Sequence, residues 1–204
     1  MTTANKILVI NGSYRDDGIT DQAVAVAIAA LHESGAQTEI VNLREYPIEF
    51  CLNCRECTQQ PGAAPGKCVL DDGMHDLIDK IEAAQGFILA APTNFGSVTA
   101  IFKRFMERLV AYAYWPWDKP FPKFRKAGAV HKRAMLISSS AAPALMGRWL
   151  FGSSKQLRMA AQTIGAKPVG TLFTGMISKD KHQQLPQKTV DKTRAMVAKL
   201  LAAR

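Results

Sequence analysis

KILVINGSYRDDGITDQAVAVAIAALHESG, Lys6–Gly35, decides the fold. Lys6 to Asn11 is a short run of aliphatic and β-branched residues ending at Gly12-Ser13, which reads as a buried strand followed by a loop. Beyond the loop, Thr20 or Asp21 can cap a helix whose apolar residues Ala23, Val26, Ala27, Ala30 and Leu31 recur at three and four, and Gly35 closes it.

The same alternation continues outward. Thr38 to Leu43 reads as a second strand. Asp71-Asp72 caps and opens a helix with Leu77, Ile78 and Ile81 on one face, and Gly86 to Pro92 contains a third, fully apolar strand. Val98 to Tyr112 is helical by period, Ala134 to Ser138 is a strand running into Ser139-Ser140, and Leu157 to Ile164 lies on a helix closed by Gly165. Val169 to Phe173 is a fifth strand and Val190 to Leu201 a terminal helix. Five β-α units with apolar strands imply an α/β three-layer sandwich around a five-stranded parallel sheet, with right-handed crossovers. Ligands in such sheets sit beyond the carboxyl ends of the strands, where the strand order reverses. That directs attention to the loops after Ile10, Ala91 and Ser138.

Composition agrees with a folded chain. Of 204 residues, 48% are hydrophobic and 21% charged, which excludes disorder and low-complexity arrays and fits one domain, 1–204. The longest uncharged stretch, Ala83 to Phe102, carries too many polar residues for a bilayer core, so no membrane span is expected. Only five residues precede Lys6, too few for a secretory signal, and the expected location is cytoplasmic. The net charge of +9 is uneven: residues 1–102 hold 6 basic and 13 acidic groups, residues 103–204 hold 20 and 4. A basic half suits nucleic acid or a phosphorylated ligand such as a dinucleotide. The absence of long like-charge runs, RNA-binding aromatic signatures and zinc-finger spacing argues against nucleic acid.

Gly12 to Thr20 places small residues, the hydroxyls of Ser13 and Thr20 and the Arg15 guanidinium between a strand and a helix amino terminus, a combination that suits phosphate. It is neither a Walker loop nor a GxGxxG fingerprint, and an ordinary capped βα turn is the competing reading. In the loop Pro92 to Thr99, the backbone of Thr93, Asn94 and Gly96 can meet a heterocycle edge and Phe95 can form an apolar wall. Otherwise this is a connection in which Ser97 caps the next helix.

Together with Ser138-Ser139-Ser140, these loops resemble the flavodoxin-like NAD(P)H-dependent FMN reductase family over roughly residues 5–175. Gly12-Ser13, Arg15, Gly18, Thr20, Ala91-Pro92, Phe95-Gly96-Ser97-Val98 and Phe102-Lys103-Arg104-Phe105 carry the likeness. Ile19 stands where asparagine is common, and Thr93-Asn94 replaces an aliphatic-tyrosine pair. The resemblance implies that Ser13, Arg15, the backbone of Ile19 and Thr20 hold the FMN phosphate. It implies that Pro92, Thr93, Asn94, Phe95, Gly96 and Ser97 line the isoalloxazine and that Ser139 and Ser140 complete the cofactor site. It further implies electron transfer from NADPH or NADH to a quinone, flavin or similar small-molecule acceptor, and a homodimer or tetramer. A flavodoxin-like electron carrier is the competing function; the basic charge weighs against it.

All four cysteines fall in an insertion at about 47–70: Cys51, Cys54 and Cys57 at successive two-residue gaps, then Cys68 after ten. Four such thiolates can hold tetrahedral zinc or a 4Fe-4S cluster, or they can pack without metal. The segment resembles the compact motif of iron-sulfur flavoproteins, which implies a 4Fe-4S cluster and a ferredoxin-like single-electron partner. His32, His75, His131 and His182 are scattered and read as surface or loop residues.

At about 112–132, Tyr112, Tyr114, Trp115, Trp117, Phe121 and Phe124 crowd a loop that covers the flavin, forms a dimer surface or packs under the sheet edge. Arg125, Lys126, Lys132 and Arg133 follow, as a contact for a dinucleotide phosphate or as a solvated basic loop.

Overall fold

A computed structural model describes residues 5–128, 132–177 and 180–202. In chain order the elements are β1 (Lys6–Asn11), α1 (Ile19–Glu33), β2 (Gln37–Asn42), α2 (Glu56–Gln59), α3 (Met74–Ala83), β3 (Gly86–Ala90), β4 (Thr93–Asn94), β5 (Ser97–Val98) and α4 (Ala100–Arg108). A 3-10 turn (Leu109–Tyr112) leads to β6 (Ala113–Tyr114), β7 (Lys123–Phe124), β8 (Lys132–Ser139), α5 (Ala144–Leu150), α6 (Ser153–Thr163), β9 (Ala166–Thr174) and α7 (Gln187–Leu201).

The central sheet has five strands, all parallel, in the order β2-β1-β3-β8-β9. Register brings Ile10 beside Val41 on one side and Leu89 on the other. Alternate side chains of β1 face opposite layers. Ile7 and Val9 pack with Ala23, Ala27 and Leu31 of α1 and with Val197 and Leu200 of α7. Leu8 and Ile10 pack with Leu77 and Ile81 of α3, Phe102 and Phe105 of α4 and Leu157 of α6. This two-sided burial gives the three-layer sandwich that the apolar strands imply.

Several element ends differ from the sequence reading. The fifth strand begins at Ala166, because Pro168 sits on an edge strand at a register shift where its missing donor is tolerated. The helix expected over Val98–Tyr112 starts at Ala100 and tightens to a 3-10 turn after Arg108. Thr99, not Ser97, caps it, accepting from Phe102 N at 3.4 Å. Helix α1 starts at Ile19 behind Gly18 with no side-chain cap. Asp21 is instead engaged by Asn11 Nδ2 and Arg44. Gly73 occupies the N-cap position of α3, while Asp72 accepts from Met74 N. The short helices α2 and α5 and the hairpins β4-β5 and β6-β7 are additions to the five β-α units.

Candidate functional site

The chain runs from β1 outward to β2 and then back across β1 to β3, so the order reverses between the β1 and β3 carboxyl ends. Both loops at that point are tightly held. Gly12 N donates to Ala90 O at 2.7 Å, and Thr99 Oγ1 donates to Gly12 O at 2.6 Å. A Cβ on Gly12 would come within 2.8 Å of the Phe102 Cβ, so glycine here permits α4 to close against the loop.

Just beyond, Ser13, Arg15, Gly18, Ile19, Thr20, Pro92 and Ser139 line one pocket. Ser13 N is fixed on Asn11 Oδ1 at 2.9 Å, and the Thr20 and Ser139 hydroxyls meet at 2.8 Å. Gln22 N pairs with Gly18 O, so the amides of Ile19, Thr20 and Asp21 ahead of it lack intrahelical partners. Amide donors, two hydroxyls and one guanidinium around a small pocket at the positive end of a fifteen-residue helix fit a phosphate monoester.

The opposite wall comes from the segment after β9: Ile177, Asp180, Lys181 and Gln183. Arg15 Nη2 donates to Lys181 O, which draws the guanidinium across the pocket. Gln22 fastens the same segment, accepting from Leu185 N at 2.7 Å and donating to Gln183 O at 3.0 Å. Gln183 Oε1 is buried with no partner among the described residues, an acceptor suited to a ligand hydroxyl. No motif marks this wall, and sequence reasoning missed it.

The remaining expected cofactor residues lie on or beside the β4-β5 hairpin. Phe95 and Gly96 both have positive φ, +50° and +78°, in a two-residue hairpin turn, and Phe95 is fully exposed at its tip. Helix α6 holds the hairpin from behind. Gln156 Oε1 accepts from Ser97 Oγ and Val98 N, both at 2.9 Å, and Gly152 N donates to Gly96 O. The Thr93 hydroxyl meets Ser153 at 2.7 Å. The side chains of Thr93 and Ser97 therefore anchor the loop, leaving Asn94 and Phe95 as its exposed groups. Ser140 is buried away from the pocket lining, donating from its hydroxyl to Ala142 O at 3.1 Å.

The four cysteines, all free thiols, line a second cavity with Met74, Ile78, Arg108 and Val110. Burial, then the neighbouring Cys68, Cys51 and Cys54, push the Cys57 thiol up to about 11. One thiolate among others is thus resisted unless positive charge offsets it. Arg108 supplies such charge on the cavity wall, held by Asp72 at 2.6 and 3.0 Å and by Glu49 O at 2.9 Å. No three His, Cys, Asp or Glu side chains among the described residues are close enough to share one metal ion. Zinc at about 2.3 Å from each sulfur would need the thiols drawn tightly together.

In the aromatic segment Tyr112 is buried in the core, Trp117, Phe121 and Phe124 stay exposed, and the stretch around Trp115 packs on the cysteine segment. Trp115 N donates to Thr58 O at 2.8 Å, and Arg55 lies between the rings of Trp115 and Trp117, 3.8 and 4.3 Å from their centroids. The basic residues that follow are engaged by the protein itself. Arg125 binds carbonyls of the cysteine loop, Lys126 pairs with Glu82 at 2.6 Å, Lys132 donates to Ile81 O and Glu82 O, and Arg133 donates to Lys199 O and Ala202 O. His32 and His182 are exposed, His75 is half-buried against Cys68 O, and His131 lies outside the described residues.

A five-stranded parallel sheet with a phosphate-type pocket at its switch point defines a flavodoxin-like α/β protein. The chain belongs to the NADPH-dependent FMN reductase family, whose profile matches residues 5–175. It is 34% identical over 103 residues to an iron-sulfur flavoprotein of Methanocaldococcus jannaschii, covering 50% of this chain and 51% of that protein. It is 32% identical over 111 residues to an iron-sulfur flavoprotein of Archaeoglobus fulgidus, covering 54% and 48%. The chain thus matches about half the length of these relatives. Among solved structures, an NAD(P)H:quinone oxidoreductase from Methanothermobacter marburgensis superposes with TM-score 0.69 at 16% identity over 99% of this chain and 98% of that one. An FMN-dependent NADH-azoreductase from Bacillus anthracis in complex with FMN gives 0.66 at 13% over 97% and 100%. These two likenesses concern the fold.

Among the described residues no helix is long and apolar enough to cross a membrane.

Proposed function

We propose that this protein is an FMN-dependent oxidoreductase that moves electrons from NADPH or NADH to a small-molecule acceptor such as a quinone or another flavin. The observation that carries the reading is the pocket after β1, where unpaired helix amides, Ser13, Thr20 and Arg15 converge on a space suited to a phosphate. Family membership supports it. Bound FMN would supply the hydride chemistry, and the residues of this chain hold and surround it. Ser13, Thr20, Arg15 and the Ile19 amide bind the phosphate end, Gln183 Oε1 accepts from a hydroxyl, and the backbone of the 93–97 hairpin with Phe95 borders the ring. Ser139 positions Thr20 through their shared hydrogen bond. A homodimer or tetramer is part of this reading: Leu145, Met146, Trp149 and Leu150 of α5 are exposed together.

The test is an FMN titration followed by steady-state oxidation of NADPH with a soluble quinone. Tight FMN binding and sustained turnover are expected. A protein that binds no FMN overturns the proposal, and one that binds FMN but turns over only with a protein donor is a carrier.

A second reading adds single-electron exchange with a ferredoxin-like partner through a 4Fe-4S cluster held by Cys51, Cys54, Cys57 and Cys68. It is favoured by the gathering of all four thiols on one cavity walled by Arg108. Anaerobic purification with iron and acid-labile sulfide analysis decides it. About four irons per chain are expected, and iron-free protein with ordinary flavin bands overturns it.

A further inference from the structure

The pocket after β1 is bounded by two stretches of chain far apart in sequence, the 13–20 loop on one side and the 180–185 segment on the other. One side chain outside the lining joins them. Gln22, half-buried at the start of α1, donates from Nε2 to Asp17 O at 2.9 Å on the loop and to Gln183 O at 3.0 Å on the segment. Its Oε1 accepts from Leu185 N at 2.7 Å. Both amide hydrogens and the amide oxygen are thus engaged, a set of bonds that only a carboxamide can supply from one point. Leu185 packs on the core layer that holds Ala23 and Ala27 of α1, so the segment is anchored where Gln22 grips it. Farther along, Asp180 Oδ1 accepts from His182 N at 3.0 Å and stiffens the turn between them. Lys181 O, in that turn, receives Arg15 Nη2 from the opposite loop. The two walls therefore meet across the space they enclose, a cavity of about 60 Å³.

We propose that the 180–185 segment, held by Gln22, is the specificity determinant of this pocket: it closes the far side, so that the pocket takes a phosphate monoester and turns away a diester. This rests on reading the pocket as the FMN phosphate site. A monoester has three terminal oxygens, and the free amides at the start of α1, the Ser13 and Thr20 hydroxyls and Arg15 are enough to serve all of them. In a diester one of those oxygens carries a second group, which has to leave the pocket between the walls. Arg15, bound to Lys181 O, lies across that path, and the Gln22 amide ties the walls together beside it. Admitting the second group would break these bonds and strand their donors, and discrimination of this kind is built from what the wrong ligand has to disrupt. Gln22 does not itself line the pocket, so it is a positioning residue that acts through the segment.

The probes are FMN and flavin adenine dinucleotide, which share the ring and the ribityl chain but differ in that the phosphate of the second is esterified again. Each is titrated by fluorescence into the flavin-free full-length protein. Wild type is expected to prefer FMN by about a hundredfold or more. Gln22→Met, similar in length but without the amide, is expected to bind flavin adenine dinucleotide more tightly than wild type does and to narrow the preference about tenfold. Gln22→Asn keeps the amide but is one methylene too short to reach both walls; it is expected to narrow the preference in the same direction, and it serves if the methionine variant does not fold. A merely structural role would weaken both flavins in parallel, so an unchanged preference in either variant that still binds FMN overturns the proposal. A preference narrowed only by weaker FMN binding overturns it too, since the wall would then be a contact and not a barrier. Wild type that binds the two flavins alike overturns it while the flavin site stands. Wild type that binds neither removes the FMN reading itself, and the proposal with it.

Discussion

Two side chains show how one residue type serves two ends of this molecule. Arg15 is exposed, and its guanidinium reaches over the phosphate-type pocket to Lys181 O. A hydrogen bond to a charged group is worth about 1.5 to 3 kcal/mol, and the exposed setting places Arg15 at the low end. Arg15→Ala should therefore raise the FMN dissociation constant about tenfold, at 1.4 kcal/mol per decade, with the unfolding midpoint unchanged. Fluorescence titration checks this; an unaltered constant would remove Arg15 from the phosphate site. Arg108, by contrast, is buried with Asp72, their side chains 1% and 8% exposed. Burial works to raise the Asp72 carboxyl, and the Arg108 guanidinium with the Glu49 and Met74 amides outweighs it, so Asp72 titrates below the usual range. A carboxyl depressed in the folded state contributes stability that is fully present above its unfolded value near 4 and is lost as pH falls through the lower folded value. Asp72→Asn, which leaves the buried guanidinium unpaired, should cost about 3 to 5 kcal/mol at neutral pH. In urea unfolding the gap from wild type should narrow below about pH 4. A gap constant with pH would show that the pair's charge is not what holds Arg108.

At the scale of elements, the β4-β5 hairpin is too short to be stable alone and depends on α6 behind it. Gln156 gives that support through one oxygen that accepts from Ser97 and Val98. Gln156→Ala should cost about 1 to 3 kcal/mol, because it strands the buried Val98 amide, and should weaken FMN binding severalfold as the hairpin loosens. Gln156→Glu, which keeps the acceptor, should restore most of both. If chemical denaturation and FMN titration show no loss for the alanine variant, Gln156 does not set the hairpin. This division also explains what could be read beforehand. The phosphate loop was legible because Gly12, Ser13, Arg15 and Thr20 are contiguous and lie between a buried strand and an amphipathic helix, so local chemistry and position coincide. Gln156 and Gln183 carry no such pattern: each contributes one oxygen to a partner about 60 or more residues away, or to a pocket. The aromatic segment was recognisable as needing cover, but not its cover, since the Trp115 contact with Thr58 joins parts of the chain 57 residues apart.

On the scale of the whole molecule, strand order converts an asymmetry of sequence into one of space. The order β2-β1-β3-β8-β9 places the strands of residues 1–102 on one side of the sheet and those of residues 103–204 on the other. The first half carries 6 basic and 13 acidic groups and the second 20 and 4, so the sheet joins an acidic half of the chain to a basic one, with Arg108–Asp72, Lys126–Glu82 and Arg194–Glu33 pairing across them. The sequence revealed both the charge split and the five β-α units, yet joining them required the strand order, which depends on long-range pairing rather than local pattern. A consequence follows for an anionic electron donor. Fields of this kind act on diffusional encounter and are screened over about 30 Å at 0.01 M salt but only about 8 Å at 0.15 M. Under the proposed activity, kcat/KM for NADPH should fall as salt rises across that range while kcat changes little. NADH, which lacks one phosphate, should show a shallower slope. Steady-state rates with both donors at several ionic strengths make the comparison. Parallel slopes would mean that the additional phosphate is not read by the basic residues of the second half, and a flat response to both would place the donor's approach away from those residues altogether.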